Sequence, residues 1–296
     1  MAQDIPTASN ARLIPAAALA RVPGCEAGRR PDAIAVLHGG TVNSSFRVDT
    51  RAGRFVLRLN AAEGGLLGAN HEREAQLQRA AAQFGVAPPL IYADRAQGFM
   101  ITKYIDGRAW EASDLARPEA LRWLGARLRA LHDIVAPAVA PFDLGALLRG
   151  YCARLTAAAP AERALLASLL QQSEATLALC AGGGRSATIV HNDLHHSNLI
   201  EADRLYLIDW EYAAVADPIF DLACVLAYYP QAQPHAQDLL DAAGLAETAS
   251  IAVLMAASSL FVLLSFLWYR MRRLTREVAA AADLAAEDAL LRRLNA

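Results

Sequence analysis

The sequence has few cysteines and no motif that pairs them. Four cysteines lie far apart among the 296 residues, and no Cys-x-x-Cys spacing occurs, so neither a zinc ribbon nor a disulfide framework is indicated. The start of the sequence shows no secretory signal pattern, which predicts reduced thiols and a cytoplasmic location. The four cysteines are Cys25, Cys152, Cys180 and Cys224.

The chain also lacks long runs of one charge and internal repeats. Its 28 Lys and Arg residues nearly balance 30 Asp and Glu residues, for a formal net charge of −2, and no basic run marks a nucleic-acid-binding surface. With 55% hydrophobic and 20% charged residues, the chain is long and apolar enough to bury a large core. We therefore expect a globular protein with a small-molecule partner and no nucleic-acid partner; the oligomeric state stays open.

One segment is long and apolar enough for a membrane span. Residues 251–269 carry no charge, and three arginines follow within the next four positions, which satisfies the length rule for a transmembrane helix. The segment also contains three serines and stands alone among helices that look water-soluble. Because helices that are apolar all round also occur in protein cores, we predict a buried helix and no membrane partner, with a span as the alternative.

The first third of the chain predicts an antiparallel sheet and one helix. From residue 70 to 84, apolar residues recur at helical spacing, and Gly85 ends the pattern. Turn signals such as Gly53 separate segments with strand patterns. These segments are residues 34–37, 45–49, 55–59, 90–93 and 99–105.

The rest of the chain predicts mainly helices. Leu121, Leu124 and Leu128 form one apolar helical face after Pro118. The predicted order is an α+β fold, with an antiparallel sheet plus helix in a first lobe and a mainly helical second lobe. Further helices are predicted at 143–180 and from about 217 onward, a short strand at 188–190, and lobes at 1–105 and 106–296 with a hinge at about 102–107.

The most informative motif follows the predicted strand at 188–190. The sequence HNDLHHSNLI places Asp193 in a polar loop and Asn198 five residues later, and LIDW places Asp209 at the end of an apolar run. A Mg²⁺-dependent phosphoryl-transfer site needs such groups. One carboxylate takes the proton from an attacking hydroxyl, and hard oxygen ligands hold the metal ions at the nucleotide phosphates. The pattern therefore indicates a kinase.

This pattern resembles the aminoglycoside phosphotransferase and choline kinase superfamily, which shares the protein-kinase fold. His-Asn-Asp together with Ile-Asp-Trp-Glu-Tyr is most similar to the choline kinase and thiamine kinase branches. The resemblance implies a two-lobed protein-kinase-like fold, ATP and Mg²⁺ as cofactors, and a small-molecule acceptor; a preference for ATP over GTP is left open. By position, it implies that Asp193 is the catalytic base and that Asn198 and Asp209 bind metal.

The resemblance also implies a nucleotide-binding set in the first lobe. Arg58 would hold phosphate oxygens, because a guanidinium can bind them in a bidentate way. Its predicted ion-pair partner is Glu74, with Glu72 as the alternative because the two positions face different sides of a helix. A glycine-containing segment resembles the flap of choline kinase-like enzymes, where backbone amides approach phosphates. The predicted flap contacts are Gly39, Gly40, Thr41 and Asn43.

The residues after Asp209 are candidates for an acceptor pocket. Glu211 and Tyr212 supply a carboxylate and an aromatic ring, which suit a quaternary ammonium or thiazolium cation, and Trp268 could add a ring. Core packing is the alternative for these aromatic residues. The set favours a cationic alcohol such as thiamine, choline or ethanolamine, with an aminoglycoside or a sugar as the alternative acceptor.

Two polar residues are predicted to support the catalytic loop. His191 would hold the loop in shape through backbone and carboxylate contacts. Asp221 would brace it by hydrogen bonding.

Two other classes of protein are alternatives. In a metallohydrolase, the histidines at 191, 195 and 196 would bind a transition metal together with Asp193. That arrangement leaves Asn198 and Asp209 without a role. The second alternative is a nucleotide-binding module without catalysis, because a fold does not determine function.

Overall fold

The computed structural model describes residues 13–37, 43–181, 184–275 and 280–295. The predicted flap residues Gly39, Gly40 and Thr41 lie outside the described residues. The strands are β1 (Ala33–Leu37), β2 (Ser44–Thr50), β3 (Gly53–Leu59), β4 (Leu90–Asp94), β5 (Phe99–Lys103), β6 (Arg108–Ala109), β7 (Thr188–Val190), β8 (Leu199–Glu201), β9 (Leu205–Leu207) and β10 (Ala214–Ala216). The helices are α1 (Ala16–Leu19), α2 (His71–Gln83), α3 (Pro118–His132), α4 (Leu144–Ala158), α5 (Arg163–Ala181), α6 (Ile219–Tyr228), α7 (Ala236–Ala242), α8 (Ile251–Leu274) and α9 (Ala281–Leu294). Short 3-10 segments are Glu26–Gly28, Ala62–Leu67, Asp114–Ala116, Pro160–Glu162, His196–Asn198 and Pro230–His235.

Within the described residues, β1 to β5 form one antiparallel sheet in the order β1-β2-β3-β5-β4. Successive side chains of a strand point to opposite faces. Phe55 and Leu57 of β3 accordingly join a cluster that includes Val22, which follows α1. Arg58 is on the other face, where it reaches α2. The sheet thus presents a cationic side chain to the helix that follows it.

Helix α2 is anchored at its first turn. Asn70 caps the helix, and its side-chain oxygen accepts a hydrogen bond from the Arg73 backbone N–H at 3.0 Å. The same residue donates its backbone N–H to the Glu211 carbonyl oxygen at 3.2 Å, and Arg73 Nε donates to the Ala213 carbonyl oxygen at 2.7 Å. These contacts attach α2 to a distant loop of the helical part of the protein.

The apolar segment forms a core helix. Helix α8 packs against α4, α5, α6 and α9, and Leu254, Phe261 and Phe266 are among its buried side chains. It is the one helix in the described ranges long and apolar enough to cross a membrane, but 50% of its most apolar window is buried inside the protein. Its composition is therefore explained by burial among neighbouring helices.

Two small sheets bring the predicted site residues together. Strands β8 and β9 pair antiparallel, with Leu199 opposite Leu207, so the residues before β8 meet those after β9. The Ile208 N–H accordingly donates to the Asn198 carbonyl oxygen at 2.9 Å. Strand β7, which leads into the loop with Asp193, pairs with β10. These strand pairings bring residues that are far apart in the sequence close together.

Some predicted boundaries differ from the structure. The strand predicted over 99–105 ends at Lys103, and the chain then joins β8 through the short strand β6. The helices predicted over 143–180 are α4 and α5, which are separated at Pro160, because proline cannot donate the hydrogen bond that a helix interior requires. All four cysteines are free and buried, as predicted.

Candidate active site

Asp193 lies in the loop between β7 and β8, and each of its carboxylate oxygens accepts a hydrogen bond. Tyr228 Oη donates to Oδ1 at 3.0 Å, and Asn198 Nδ2 donates to Oδ2 at 3.0 Å. Burial, aided by the nearby negative charge of Asp209, raises the pKa of Asp193 to about 7. A carboxyl group with a pKa near neutrality is well matched to take a proton from an acceptor hydroxyl.

Asp209 lies two residues after the end of β9, and the residue before it, Ile208, is hydrogen-bonded to Asn198. Its backbone is in the left-handed region, with φ of +63°, which is uncommon for a residue other than glycine and is often found at functional sites. Oδ1 accepts a hydrogen bond from Arg58 at 2.8 Å, and the side chain is 30% exposed. Burial raises the pKa of the Asp209 carboxyl, although the Arg58 charge opposes this effect. The Asp209 carboxylate thus lies close enough to Asp193 for its charge to raise the pKa of that residue, and the hydrogen bond from Ile208 to Asn198 brings it near Asn198.

Asn198 and Asp209 fit a Mg²⁺ ion by their chemistry. The Asn198 amide nitrogen is turned toward Asp193, so the amide oxygen is the atom available to a cation. Amide and carboxylate oxygens are ligands that Mg²⁺ accepts, and Mg²⁺ commonly completes its coordination with water and substrate phosphates. In the described parts of the chain, no group of three His, Cys, Asp or Glu side chains is arranged to hold a metal. Two such oxygen ligands would leave the other coordination positions of Mg²⁺ to water and to substrate phosphates.

The ligand set of the metallohydrolase alternative is not assembled, and this prediction of a transition-metal site is wrong. His191 is fully buried; its Nε2 lies 2.9 Å from the Ile208 carbonyl oxygen, and its Nδ1 accepts the Asp193 N–H at 3.3 Å. These contacts fit a neutral imidazole with its proton on Nε2. His195 Nδ1 lies 3.0 Å from Ser197 Oγ, and His196 contacts Tyr229. Both ring nitrogens of His191, and Nδ1 of His195 and of His196, are thus engaged by protein atoms.

Arg58 joins the sheet, helix α2 and the Asp209 loop. It is only 7% exposed, and three of its nitrogens donate hydrogen bonds in three directions: Nε to Asn60 at 3.0 Å, NH1 to Asp209 at 2.8 Å and NH2 to Glu74 at 2.6 Å. A guanidinium has five N–H donors, so further N–H groups remain for phosphate oxygens. Arg58 therefore already sets the distance between the two parts of the protein.

The structure shows which of the two candidate glutamates pairs with Arg58. Glu74 is fully buried and pairs with Arg58, whereas Glu72 pairs with Arg95 at 2.6 Å on the surface. His71 Nδ1 lies 3.0 Å from the same Glu74 oxygen that Arg58 contacts. Burial acts to raise the pKa of Glu74, but the charges and hydrogen bonds of Arg58 and His71 together outweigh burial and lower that pKa. The buried carboxylate is thus held ionised opposite the buried cation.

Glu211 lies on the Arg58 side of the site. Its carboxylate accepts a hydrogen bond from Asn43 Nδ2 at 2.8 Å, and Asn43 Oδ1 accepts the Ala61 N–H at 3.0 Å. Burial, followed by the charge of Asp209, raises the pKa of Glu211 to about 8. Asn43, predicted to contact nucleotide, and Glu211, predicted to contact acceptor, therefore touch each other.

Tyr212 instead contacts the aromatic residues of α8. Trp268 Nε1 donates to Tyr212 Oη at 3.0 Å, and the Trp268 ring packs edge-on against Tyr269, with centroids 5.1 Å apart. Burial raises the pKa of Tyr212, and the charges of Glu211 and Asp193 add to the effect. The predicted acceptor residues Tyr212 and Trp268 thus form one aromatic wall near the catalytic loop, and Glu211 is not part of it.

Asp221, at the start of α6, braces the catalytic loop as predicted. It is fully buried, and Oδ1 accepts the backbone N–H groups of His191 and Asn192, both at 2.9 Å. Its Oδ2 lies 3.0 Å from His132 Nε2. Asn192 has a φ of +62°, and the two backbone hydrogen bonds stabilise this conformation.

Replacing this brace should destabilise the protein. We expect Asp221→Ala to lower the free energy of unfolding by roughly 3 kcal/mol, because two buried N–H groups and His132 lose a charged acceptor. Urea unfolding followed by circular dichroism measures the change. Asp203→Ala, at a side chain 60% exposed, is the matched control and should change stability by under about 0.5 kcal/mol. Equal stability of the two variants would contradict the bracing role.

The sequence interpretation missed Tyr228, whose hydroxyl contacts Asp193. The signal was present in the spacing: Tyr228 is seven residues after Asp221, and residues seven apart lie on the same face of a helix. Two other aromatic residues of this region, Trp210 and Phe266, are fully buried core residues.

The comparisons with known proteins agree with this geometry. Residues 33–254 match the model of the phosphotransferase enzyme family. Protein LicA of Haemophilus influenzae is 51% identical over 37 residues, which are 12% of this chain and only 14% of LicA. The fold is similar to that of a choline/ethanolamine kinase family protein from Mesorhizobium loti, with a TM-score of 0.77, 24% identity and coverage of 98% of this chain and 94% of that one.

A second solved structure has the same fold. It is the choline kinase LicA from Streptococcus pneumoniae, with a TM-score of 0.74, 19% identity and coverage of 88% of this chain and 94% of that one. The two-lobed protein-kinase-like fold predicted from the sequence is confirmed. Because the family model spans most of the chain, from the first strand of the sheet into α8, the protein belongs to the phosphotransferase enzyme family.

Proposed function

We propose that the protein transfers the γ-phosphoryl group of ATP to the hydroxyl group of a small cationic alcohol, such as choline, ethanolamine or thiamine, in a Mg²⁺-dependent reaction. The observation that carries this proposal is the contact between Asp193 and Asn198, together with the backbone hydrogen bond from Ile208 to Asn198, which brings the next residue, Asp209, close to them. A base and two hard oxygen ligands at one place are what phosphoryl transfer requires.

Each residue has a role in this proposal. Asp193 orients the acceptor hydroxyl and takes its proton, and Asn198 and Asp209 hold Mg²⁺. When bound, Mg²⁺ would neutralise charge on the phosphate oxygens. Arg58 binds phosphate oxygens from the opposite side, with Glu74 keeping its guanidinium in place. The flap residues at 39–41 and Asn43 complete the nucleotide site.

The two parts of the chain would bind different substrates. Residues 1–105 would bind the nucleotide, residues 106–296 would bind the acceptor, and the hinge would lie at about 102–107, where the chain leaves β5 and enters β6. A LicA structure with this fold was solved in complex with AMP, which supports a nucleotide between the parts. We place the enzyme in the cytoplasm, where ATP is available.

The acceptor class rests on the aromatic wall. Tyr212 and Trp268 are hydrogen-bonded to each other, and aromatic faces bind quaternary ammonium groups through cation–π interactions. The names of the choline and ethanolamine kinases with this fold support the same class. An aminoglycoside is the second candidate, because a spectinomycin phosphotransferase has this fold too, with a TM-score of 0.63.

An acceptor panel tests the proposal. Purified protein with ATP and Mg²⁺ is supplied with choline, ethanolamine, thiamine, spectinomycin or glucose, and ADP release is measured by a coupled assay. We expect the highest kcat/KM with one of the three cationic alcohols. Preferential use of spectinomycin or glucose would reject the acceptor class, and ADP release with none of the five would reject the proposed reaction.

The role of the aromatic wall gives a separate prediction. Trp268→Leu removes one ring face, and we expect the KM for the preferred cationic acceptor to rise about tenfold, since a desolvated cation–π contact contributes on the order of 1–2 kcal/mol. The KM for ATP should stay within about twofold. Trp123→Leu is the control, because Trp123 is 39% exposed and packs on Trp110 rather than on Tyr212. Similar acceptor KM values for the two variants would contradict this role.

A further inference from the structure

Helix α6 presents one face to the catalytic loop. Asp221, Cys224 and Tyr228 are spaced i, i+3 and i+7, which places them on the same side of a helix. Asp221 binds the first two backbone N–H groups of the loop. Cys224 Sγ accepts the Leu194 N–H at 3.3 Å and lies 3.6 Å from the Asn192 carbonyl oxygen. These two side chains hold the backbone on both sides of Asp193.

The third side chain of this face, Tyr228, touches the reacting group itself. Its hydroxyl donates to Asp193 Oδ1 at 3.0 Å. The ring lies edge-on to His195, at a centroid distance of 5.9 Å, and to Tyr229, at 6.3 Å. A phenol fixed in this way can present its O–H to the carboxylate without further loss of side-chain freedom.

The two hydrogen bonds to Asp193 act together. Asn198 holds Oδ2 and Tyr228 holds Oδ1, so the plane of the carboxylate is set from both ends. Each carboxylate oxygen has about two acceptor positions, and one position on each oxygen therefore remains for an incoming hydroxyl. Without Tyr228, only one end of the group would be held, and the carboxylate could rotate away from the direction of attack.

We propose that Tyr228 is a positioning residue that orients the Asp193 carboxylate toward the acceptor hydroxyl. This inference rests on the proposed function. It predicts that loss of the Tyr228 hydroxyl slows the transfer step and leaves ground-state binding nearly unchanged, because the contact is made to the base and to neither substrate.

The neighbouring tyrosine provides a matched control. Tyr229 Oη accepts the His196 backbone N–H at 2.8 Å and lies 2.7 Å from His196 Nδ1. Tyr229→Phe therefore removes a hydroxyl that contacts the same loop, at the adjacent position, without touching Asp193. A general effect of loop structure would appear in both variants, whereas orientation of the base would appear only in Tyr228→Phe.

The experiment measures kcat and both KM values for wild type, Tyr228→Phe and Tyr229→Phe, with thermal unfolding of each. We expect Tyr228→Phe to lower kcat by about 10- to 100-fold, as for loss of a hydrogen bond to a charged group, with KM values within about threefold. Tyr229→Phe should lower kcat by less than about threefold. Both unfolding midpoints should stay within about 4 °C of wild type.

Several outcomes would overturn the inference. These are an unchanged kcat in Tyr228→Phe, an equal loss in Tyr229→Phe, or a loss confined to KM. If wild type turns over an acceptor and any of these results is found, only the role of Tyr228 fails. If wild type releases no ADP with any acceptor of the panel, the proposed function fails and this inference fails with it.

Discussion

Asp193→Asn is expected to lower kcat by roughly 10³-fold, within the range measured for removal of a general base. The amide has nearly the same shape as the carboxylate and can still accept one hydrogen bond, from Tyr228 or Asn198, but it cannot take the acceptor proton. We therefore expect the fold and most of the ATP affinity to be retained. Steady-state ADP release and calorimetric titration with ATP measure the two effects.

The control for this variant is Asp241→Asn. Asp241 is exposed on α7 and accepts a hydrogen bond from Gln237 at 2.7 Å, so its replacement should leave kcat within about twofold. Wild-type turnover by Asp193→Asn would show that Asp193 is not the catalytic base. A loss of activity together with a lower unfolding temperature would instead mean that the carboxylate is mainly structural.

Asp209→Asn is expected to cost about 100-fold or more in kcat and to raise the Mg²⁺ concentration needed for half-maximal activity. The carboxylate is the charged member of the proposed metal pair, and it also accepts a hydrogen bond from Arg58 at 2.8 Å. Without the Asp209 carboxylate, only neutral amide groups would be left to bind Mg²⁺, a hard cation that prefers charged oxygen ligands. Titrations with Mg²⁺ at fixed ATP and acceptor measure the shift.

A binding measurement makes this prediction independent of turnover. The affinity for ADP should increase with Mg²⁺ in wild type, and this increase should be strongly reduced in Asp209→Asn. Asp217→Asn is a useful comparison, because Asp217 pairs with a different arginine, Arg185, at 2.8 Å. An identical Mg²⁺ effect in wild type and Asp209→Asn would show that Asp209 is not a metal ligand.

Much of the fold could be predicted because its signals are local. The helical period before Gly85 and the alternation around Phe55 depend on neighbours within a few positions. The predicted helix over 70–84 is α2 (His71–Gln83), and the predicted strand over 188–190 is β7 (Thr188–Val190). The least accurate prediction, the strand end near Lys103, concerns the end of an element, where local preference is weakest.

The sequence could not show in which direction a side chain points, and therefore which partner it contacts. Glu72 and Glu74 have the same chemistry, and only the packing of α2 turns one toward Arg58 and the other toward Arg95. Glu211 and Tyr212 are adjacent, yet one contacts Asn43 and the other contacts Trp268. Orientation is set by long-range contacts, so it becomes visible only when distant segments are packed together.

The sequence by itself determined the family, the order of strands and helices, and the identities of Asp193, Asn198 and Asp209, because these follow from residue type and short spacing. The tertiary structure alone decided that α8 is buried among helices and that the Tyr228 hydroxyl reaches Asp193 Oδ1 across 35 positions of the chain. The physical reason is that a hydrogen bond requires an atom within about 3 Å in the right direction. The β8–β9 pairing and the packing of α6 set that distance and direction.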